Sequence, residues 1–134
     1  MKVSRFEELE CWQEARALSN DVYSAIKQSS AWKKDLRLCG QLQAAAGSVM
    51  ANIAEGFARR SDKEFVQFLF IALASASELQ SHLYIARDQG YLAQQSFDSI
   101  YNRAHKTSKI ISGHIKYLRT RSSRQIRQTK QIEL

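Results

Sequence analysis

The 134-residue chain contains no proline, where ordinary usage of about 5% would supply roughly six or seven. A proline inside a helix costs about 3 kcal/mol, so long uninterrupted helices are permitted nearly everywhere. Cysteine is scarce as well. Cys11 and Cys39 stand in unrelated segments without metal-type spacing, which argues against a disulfide framework and a structural metal site; both read as reduced, helix-packed thiols. No apolar run approaches the roughly 18 residues of a membrane span, and the opening M-K-V-S-R-F-E-E-L-E has no apolar signal core. The expectation is a soluble cytoplasmic protein with no membrane association.

Catalytic signatures are missing too. There is no G-x-G-x-x-G and no phosphate loop. Di-iron bundles place a glutamate three residues before each of two histidines; here Glu78 and His82 are four apart, and neither His105 nor His114 has such a glutamate. An Arg-x4–6-His ribonuclease motif is absent, because no arginine lies five to seven residues before any of the three histidines. Ser48 has no evident His/Asp partnership to activate it. No enzyme activity, no cofactor and no metal are expected.

What is present suits one globular domain: 44% hydrophobic and 25% charged residues, in a length able to bury about two-thirds of its unfolded surface. Charge is unevenly placed. Residues 1–100 hold 11 Lys/Arg and 12 Asp/Glu, a net −1, whereas residues 101–134 hold 9 Lys/Arg against Glu133 alone, a net +8. Such asymmetry points to a basic arm or face for a polyanion, or to a solubilising charged face.

Apolar spacing predicts four helices. The first spans Phe6 to about Ser29, with Leu9, Trp12, Ala15, Val22 and Ile26 on its stripe and Glu7, Glu8 and Glu10 in its first turn. A loop is expected over Ser29–Asp35. The second helix, Asp35 to Phe57, carries Leu38, Leu42, Ala45, Val49, Ile53 and Phe57 inward; Gly40 and Gly47 suggest close approach of a neighbouring helix in the bundle or on another subunit. Ser61-Asp62-Lys63-Glu64 reads as a capping box for a third helix ending at Gly90. That helix is apolar on more than one face between Phe65 and Leu73, so it is central or covered by a second subunit. The fourth has a seam at positions 97, 101, 104, 108, 111, 115 and 118. These features predict an all-α, antiparallel up-down-up-down four-helix bundle over residues 1–118, followed by a basic extension over 119–134 that either continues the fourth helix or stays flexible.

Two constellations carry the functional expectations. Arg103, Lys106, Lys109 and Lys116 lie off the fourth seam as a basic outer face, joined by Arg119, Arg121, Arg124, Arg127 and Lys130 in the extension and by Arg59 and Arg60 as a basic rim. Asn52, Glu55 and Arg59 form one strip of the second helix. The strip reads as a surface ion pair or as a polar contact holding the second helix against the third or a neighbouring subunit, with Gly56 ending the helix.

The stretch Asn52-Ile53-Ala54-Glu55-Gly56 with Arg59 and Ser61, the segments F-E-E-L-E-C-W-Q-E-A (Phe6–Ala15), E-F-V-Q-F-L (Glu64–Leu69) and A-S-A-S-E-L (Ala74–Leu79), and the Gly90-Tyr91-Leu92 turn resemble the family of 23S rRNA-intervening-sequence proteins. The resemblance implies an antiparallel four-helix bundle that assembles into a ring, typically a homopentamer, without enzymatic activity. It further implies association with RNA, and related accessory proteins of diversity-generating retroelements form basic pentamers that bind nucleic acid and a reverse transcriptase. The chain departs from the family pattern at Ala44, where an arginine is frequent, and around Ala31-Trp32-Lys33-Lys34 and Arg37, where a proline and a glycine are usual. The expectation is a non-enzymatic homo-oligomer, a pentameric ring, binding RNA or DNA through a basic surface. The alternative is a protein–protein scaffold that recruits an acidic partner.

Overall fold

Side-chain caps divide the chain into its helices. The structure is a computed structural model that describes residues 2–133, with side chains for residues 2–124. After a 3-10 turn at Phe6–Glu8, α1 covers Glu10–Lys27, α2 Ser30–Lys34, α3 Leu36–Phe57, α4 Asp62–Asp88 and α5 Gln94–Glu133. Ser29 starts α2 by accepting from the Trp32 amide at 3.2 Å, and Asp35 starts α3 by accepting from the Leu38 amide at 3.1 Å. Ser61 starts α4 by accepting from the Glu64 amide at 3.2 Å, while its hydroxyl donates to Glu64 Oε1 at 3.2 Å. Caps of this kind contribute about 1 kcal/mol each. At the other end of α4, Gly90 takes a φ of 77°. The Gly90 amide donates to the Arg87 carbonyl at 3.0 Å and the Tyr91 amide to the Ala86 carbonyl at 2.9 Å, which is a complete Schellman closure.

The four long helices pack antiparallel in up-down-up-down order, α1 against α3, α3 against α4, α4 against α5, and α5 back against α1. The α3/α4 contact is the most extensive. Buried apolar side chains form two clusters. One gathers Leu18, Val22, Trp32, Leu42, Leu83 and Phe97, among others; the second includes Leu9, Ala15, Val49, Leu69, Ile111 and Leu118. Between them lie buried polar groups. Ser75 Oγ meets Ser48 Oγ at 2.8 Å across α3 and α4, and Thr107 satisfies its hydroxyl by donating to the Arg103 carbonyl at 2.8 Å.

Several expectations change. The first helix does not begin at Phe6: buried Leu9 adopts an extended conformation (ψ 128°) and separates the 3-10 turn from α1, leaving only Glu10 in the first turn of α1. The segment expected as a loop contains α2, because the fully buried Trp32 draws the chain inward between two capping residues. Along α5 the inward positions include Ile100 and Thr107, while Tyr101 and Ser108 stand half-buried. Gly56 does not end α3, which continues to Phe57. A Cβ at Gly56 would stand 2.7 Å from Phe68 Cβ and 2.9 Å from Phe65 Cδ1, so this glycine serves the close approach of α4. At Gly40 and Gly47 nothing lies within 4 Å of such a Cβ, and no helix of the protomer approaches closely there.

Thermal and denaturant unfolding of two glycine variants checks this assignment. Gly56→Ala is expected to destabilise by about 1–3 kcal/mol through overpacking, whereas Gly113→Ala, on α5 with nothing within 4 Å of the added Cβ, should stabilise by up to about 1 kcal/mol.

Candidate nucleic-acid interface

The polar strip of α3 divides into two parts. Asn52 Nδ2 donates to the Ser48 carbonyl at 2.8 Å and to Ser48 Oγ at 3.0 Å, and Ser48 reaches Ser75 of α4, so Asn52 supports the helix–helix contact. Glu55 faces outward and pairs with Arg59 at 3.1 Å, an exposed i,i+4 pair of the kind that contributes a few tenths of a kcal/mol.

The basic residues of α5 fall into two classes. Arg103 Nε donates to Asp21 Oδ2 at 2.6 Å and its Nη1 to Glu14 Oε2 at 3.2 Å, while Lys106 Nζ reaches Glu14 Oε1 at 3.2 Å. Both cations pair α5 with α1; Arg103 is half-buried there, while Lys106 remains exposed on the outer face. Lys109, Lys116, Arg119 and Arg124 are exposed, and among the described residues no carboxylate lies within 4.0 Å of them. Arg119 rests its guanidinium over the Phe70 ring at 5.1 Å. Arg127 and Lys130 belong to α5, and their side chains lie outside the described residues.

Arg121 ties α5 to the start of α4. Its Nη2 donates to Asp62 Oδ1 at 2.6 Å and its Nε to Asp62 Oδ2 at 3.0 Å, a bidentate pair with the first residue of α4. The hydrogen bonds from Arg121 hold the Asp62 carboxyl below its ordinary range, against the opposing effect of burial, and raise the Arg121 guanidinium in turn. Since α5 runs on to Glu133, it continues for about 17 Å past residue 122 at 1.5 Å per residue.

Beside this pair, the amino-terminal segment, the α3–α4 turn and α5 enclose a cleft of about 550 Å³ whose lining includes Lys2, Arg59, Arg60, Phe65, His114 and Tyr117. Arg59 also lies over the Phe68 ring at 4.7 Å, and Arg60 is exposed. His114 packs 5.3 Å from the Phe65 ring and 5.9 Å from Tyr117. Burial pushes its pKa down; Arg121 adds to the shift and Asp62 opposes it. A second groove of about 500 Å³, bordered by Lys116, Thr120 and Arg124, shares Tyr117 and Arg121 with the first. Lys2 and Tyr117 were not among the residues singled out from sequence. An available signal for Tyr117 was an aromatic residue set among Lys116, Arg119 and Arg121, the interleaving that base-stacking surfaces use.

With this architecture in place, the comparison with known families is decisive: the family described as 23S rRNA-intervening sequence protein matches over residues 7–113. The chain belongs to that family. Its fold is shared with a crystal structure from Bacteroides thetaiotaomicron, described as a protein of unknown function from the S23 ribosomal protein family. That likeness has a TM-score of 0.73 at 23% identity, covering 79% of this chain and 98% of the other; at such identity it concerns the fold alone. No curated protein matches the chain. The family match stops at residue 113, so Lys116, Tyr117, Arg119, Arg121 and Arg124 all lie beyond it. Among the described residues, no group of three His, Cys, Asp or Glu side chains could hold a metal ion, and no helix is long and apolar enough to cross a membrane.

The His114 environment makes a pH prediction. A histidine whose folded pKa lies below its ordinary 6.5 takes up its proton more readily in the unfolded chain. Its contribution is therefore complete above pH 6.5 and is lost as pH falls through the folded value. Melting temperature should decline on acidification just below pH 6.5, and His114→Gln should flatten that decline. The depressed Asp62 carboxyl should contribute a separate loss only below its ordinary 3.8.

Proposed function

We propose that this protein is a non-enzymatic, cytoplasmic homo-oligomer, a pentameric ring that binds RNA or DNA through the basic carboxy-terminal half of α5 and the adjoining α3–α4 turn. The observation that carries the reading is the separation of its cations. Arg103, Lys106 and Arg121 are matched by carboxylates of α1 and α4, while Lys109, Lys116, Arg119, Arg124 and Arg60 face solvent. Solvent-facing cations bind phosphates by releasing condensed counterions, and a ring would multiply that field. The absence of catalysis is supported by the environments of the reactive groups. Burial raises the Cys11 thiol to about 11, far from a nucleophilic thiolate, and Cys39 donates its thiol to the Trp32 carbonyl at 3.0 Å.

Assembly is supported by two unlike flanks of the α3/α4 pair. On α3 the exposed positions Gly40, Ala44, Gly47 and Ala51 make a smooth strip. On α4, Phe70, Ile71, Tyr84 and Ile85 remain nearly half exposed, a combination that matches a partner better than water.

Two measurements test this reading. Electrophoretic mobility or anisotropy titrations should show salt-sensitive binding. Replacing Lys116, Arg119 and Arg124 by glutamine should weaken it and flatten the slope of log K against log salt by about 0.7 to 0.9 per lost phosphate contact. Light scattering should give five times the 15.3 kDa protomer mass, and Ile71→Glu or Gly47→Arg should dissociate the assembly while leaving the helical signal intact. A nuclease-resistant complex with an acidic protein, with no shift of any oligonucleotide, would favour the scaffold reading.

A further inference from the structure

The exposed cations alone would treat single strands and duplexes alike, since phosphates line both. Tyr117 adds something that a phosphate surface does not need. It is 56% exposed, and it borders both the 550 Å³ cleft and the 500 Å³ groove. Tyr117 therefore stands as a partition between two adjacent concavities, each of a size suited to a small organic ligand such as a nucleotide. Arg121 is the other wall common to both; its guanidinium stands over one face of the Tyr117 ring, 5.3 Å from the centre, where its hydrogen bonds to Asp62 hold it, so the opposite face is the one open to a ligand.

Charge on the two sides is complementary to one polyanion. Lys2 and Arg60 border the first cleft, beside Arg59, which is paired with Glu55, and Lys116 and Arg124 border the second. The one carboxylate lining the first cleft, Asp62, is already engaged by Arg121. Phosphates can follow the cations on both sides only if the bases between them pass the aromatic partition. Bases in a duplex are stacked on one another and cannot, whereas unpaired bases stack readily on tyrosine.

We propose that the paired concavities around Tyr117 form a subsite for single-stranded nucleic acid, in which an unpaired base stacks on the face of the tyrosine ring that Arg121 leaves open and the flanking phosphates meet the Arg60 and Lys116–Arg124 sides. This rests on the nucleic-acid reading above and adds strand selectivity to it. RNA and DNA share the required chemistry, because the stacking surface and the cations do not depend on a 2′-hydroxyl.

The test titrates the full chain with labelled oligo-uridine, oligo-thymidine and a duplex of the same length. The wild-type protein should prefer one or both single strands. Tyr117→Leu should weaken single-strand binding about tenfold and leave duplex binding unchanged, while Tyr117→Phe should retain single-strand affinity. Equal weakening of both forms by Tyr117→Leu, no weakening of either, or a wild-type preference for duplex overturns the subsite and leaves the general nucleic-acid reading standing. Failure of every oligonucleotide to bind overturns both. Photo-crosslinking of 4-thiouridine-containing strands to the wild-type chain gives an answer independent of variant folding. An adduct on Tyr117 supports the subsite, and adducts confined to other residues of α5 count against it.

Discussion

The close packing of α3 against α4 is the constraint on which the rest of the molecule depends. At Gly56 the two helices come so near that a single methyl group would collide with Phe65 and Phe68. Further along, the contact continues through the paired hydroxyls of Ser48 and Ser75. Small groups at both places set the separation and the register of this pair. The register in turn brings the α3–α4 turn, with Arg59, Arg60 and Asp62, to the level of α5 at which Arg121 can form its bidentate contact. A change in the α3/α4 spacing would therefore reach the basic cleft, through Phe65, which both packs against Gly56 and lines it.

Electrostatics then divides labour along α5. Its amino-terminal half uses Arg103 and Lys106 to hold on to α1, where Glu14 and Asp21 answer them. Among the described residues of its carboxy-terminal half, Lys116, Arg119 and Arg124 stay exposed while Arg121 pairs with Asp62 of α4. One helix is thus a bundle member over part of its length and a charged projection over the remainder. The break between the two roles falls where α4 begins, and not at a change in the helix itself.

Much of this architecture was readable in the chain. The Ser61 cap, the Gly90 closure and the apolar spacings of α3 and α4 are local signals, each tied to a nearby backbone requirement, and they place those elements closely. What stayed hidden depends on contacts far apart in sequence. Nothing near Trp32 announces that it is fully buried, so the short helix around it read as a loop. Thr107 and Ser108 are equally plausible inward positions until the Arg103 carbonyl is seen to accept the threonine hydroxyl. The pairing of Arg103 with Asp21 spans 82 residues, and off-seam spacing alone could not separate such structural cations from the exposed ones. Gly56 illustrates the same limit, because a glycine near a helix end suits both a stop and a close approach, and only the position of Phe68 distinguishes them.

The two flanks of the α3/α4 pair also govern the symmetry available to any assembly built on them. The strip of Gly40, Ala44, Gly47 and Ala51 is smooth, and the ridge of Phe70, Ile71, Tyr84 and Ile85 is bulky and apolar, so the two flanks are unlike surfaces. Copies that meet by seating one flank on the other must join head to tail, which is a heterologous contact and not a two-fold one. Repeating one such contact by a pure rotation that divides a full turn closes a ring in which every α5 is equivalent, whereas any added translation along the axis would produce an open helix. The angle between the smooth and ridged flanks would therefore select between a closed ring and a filament.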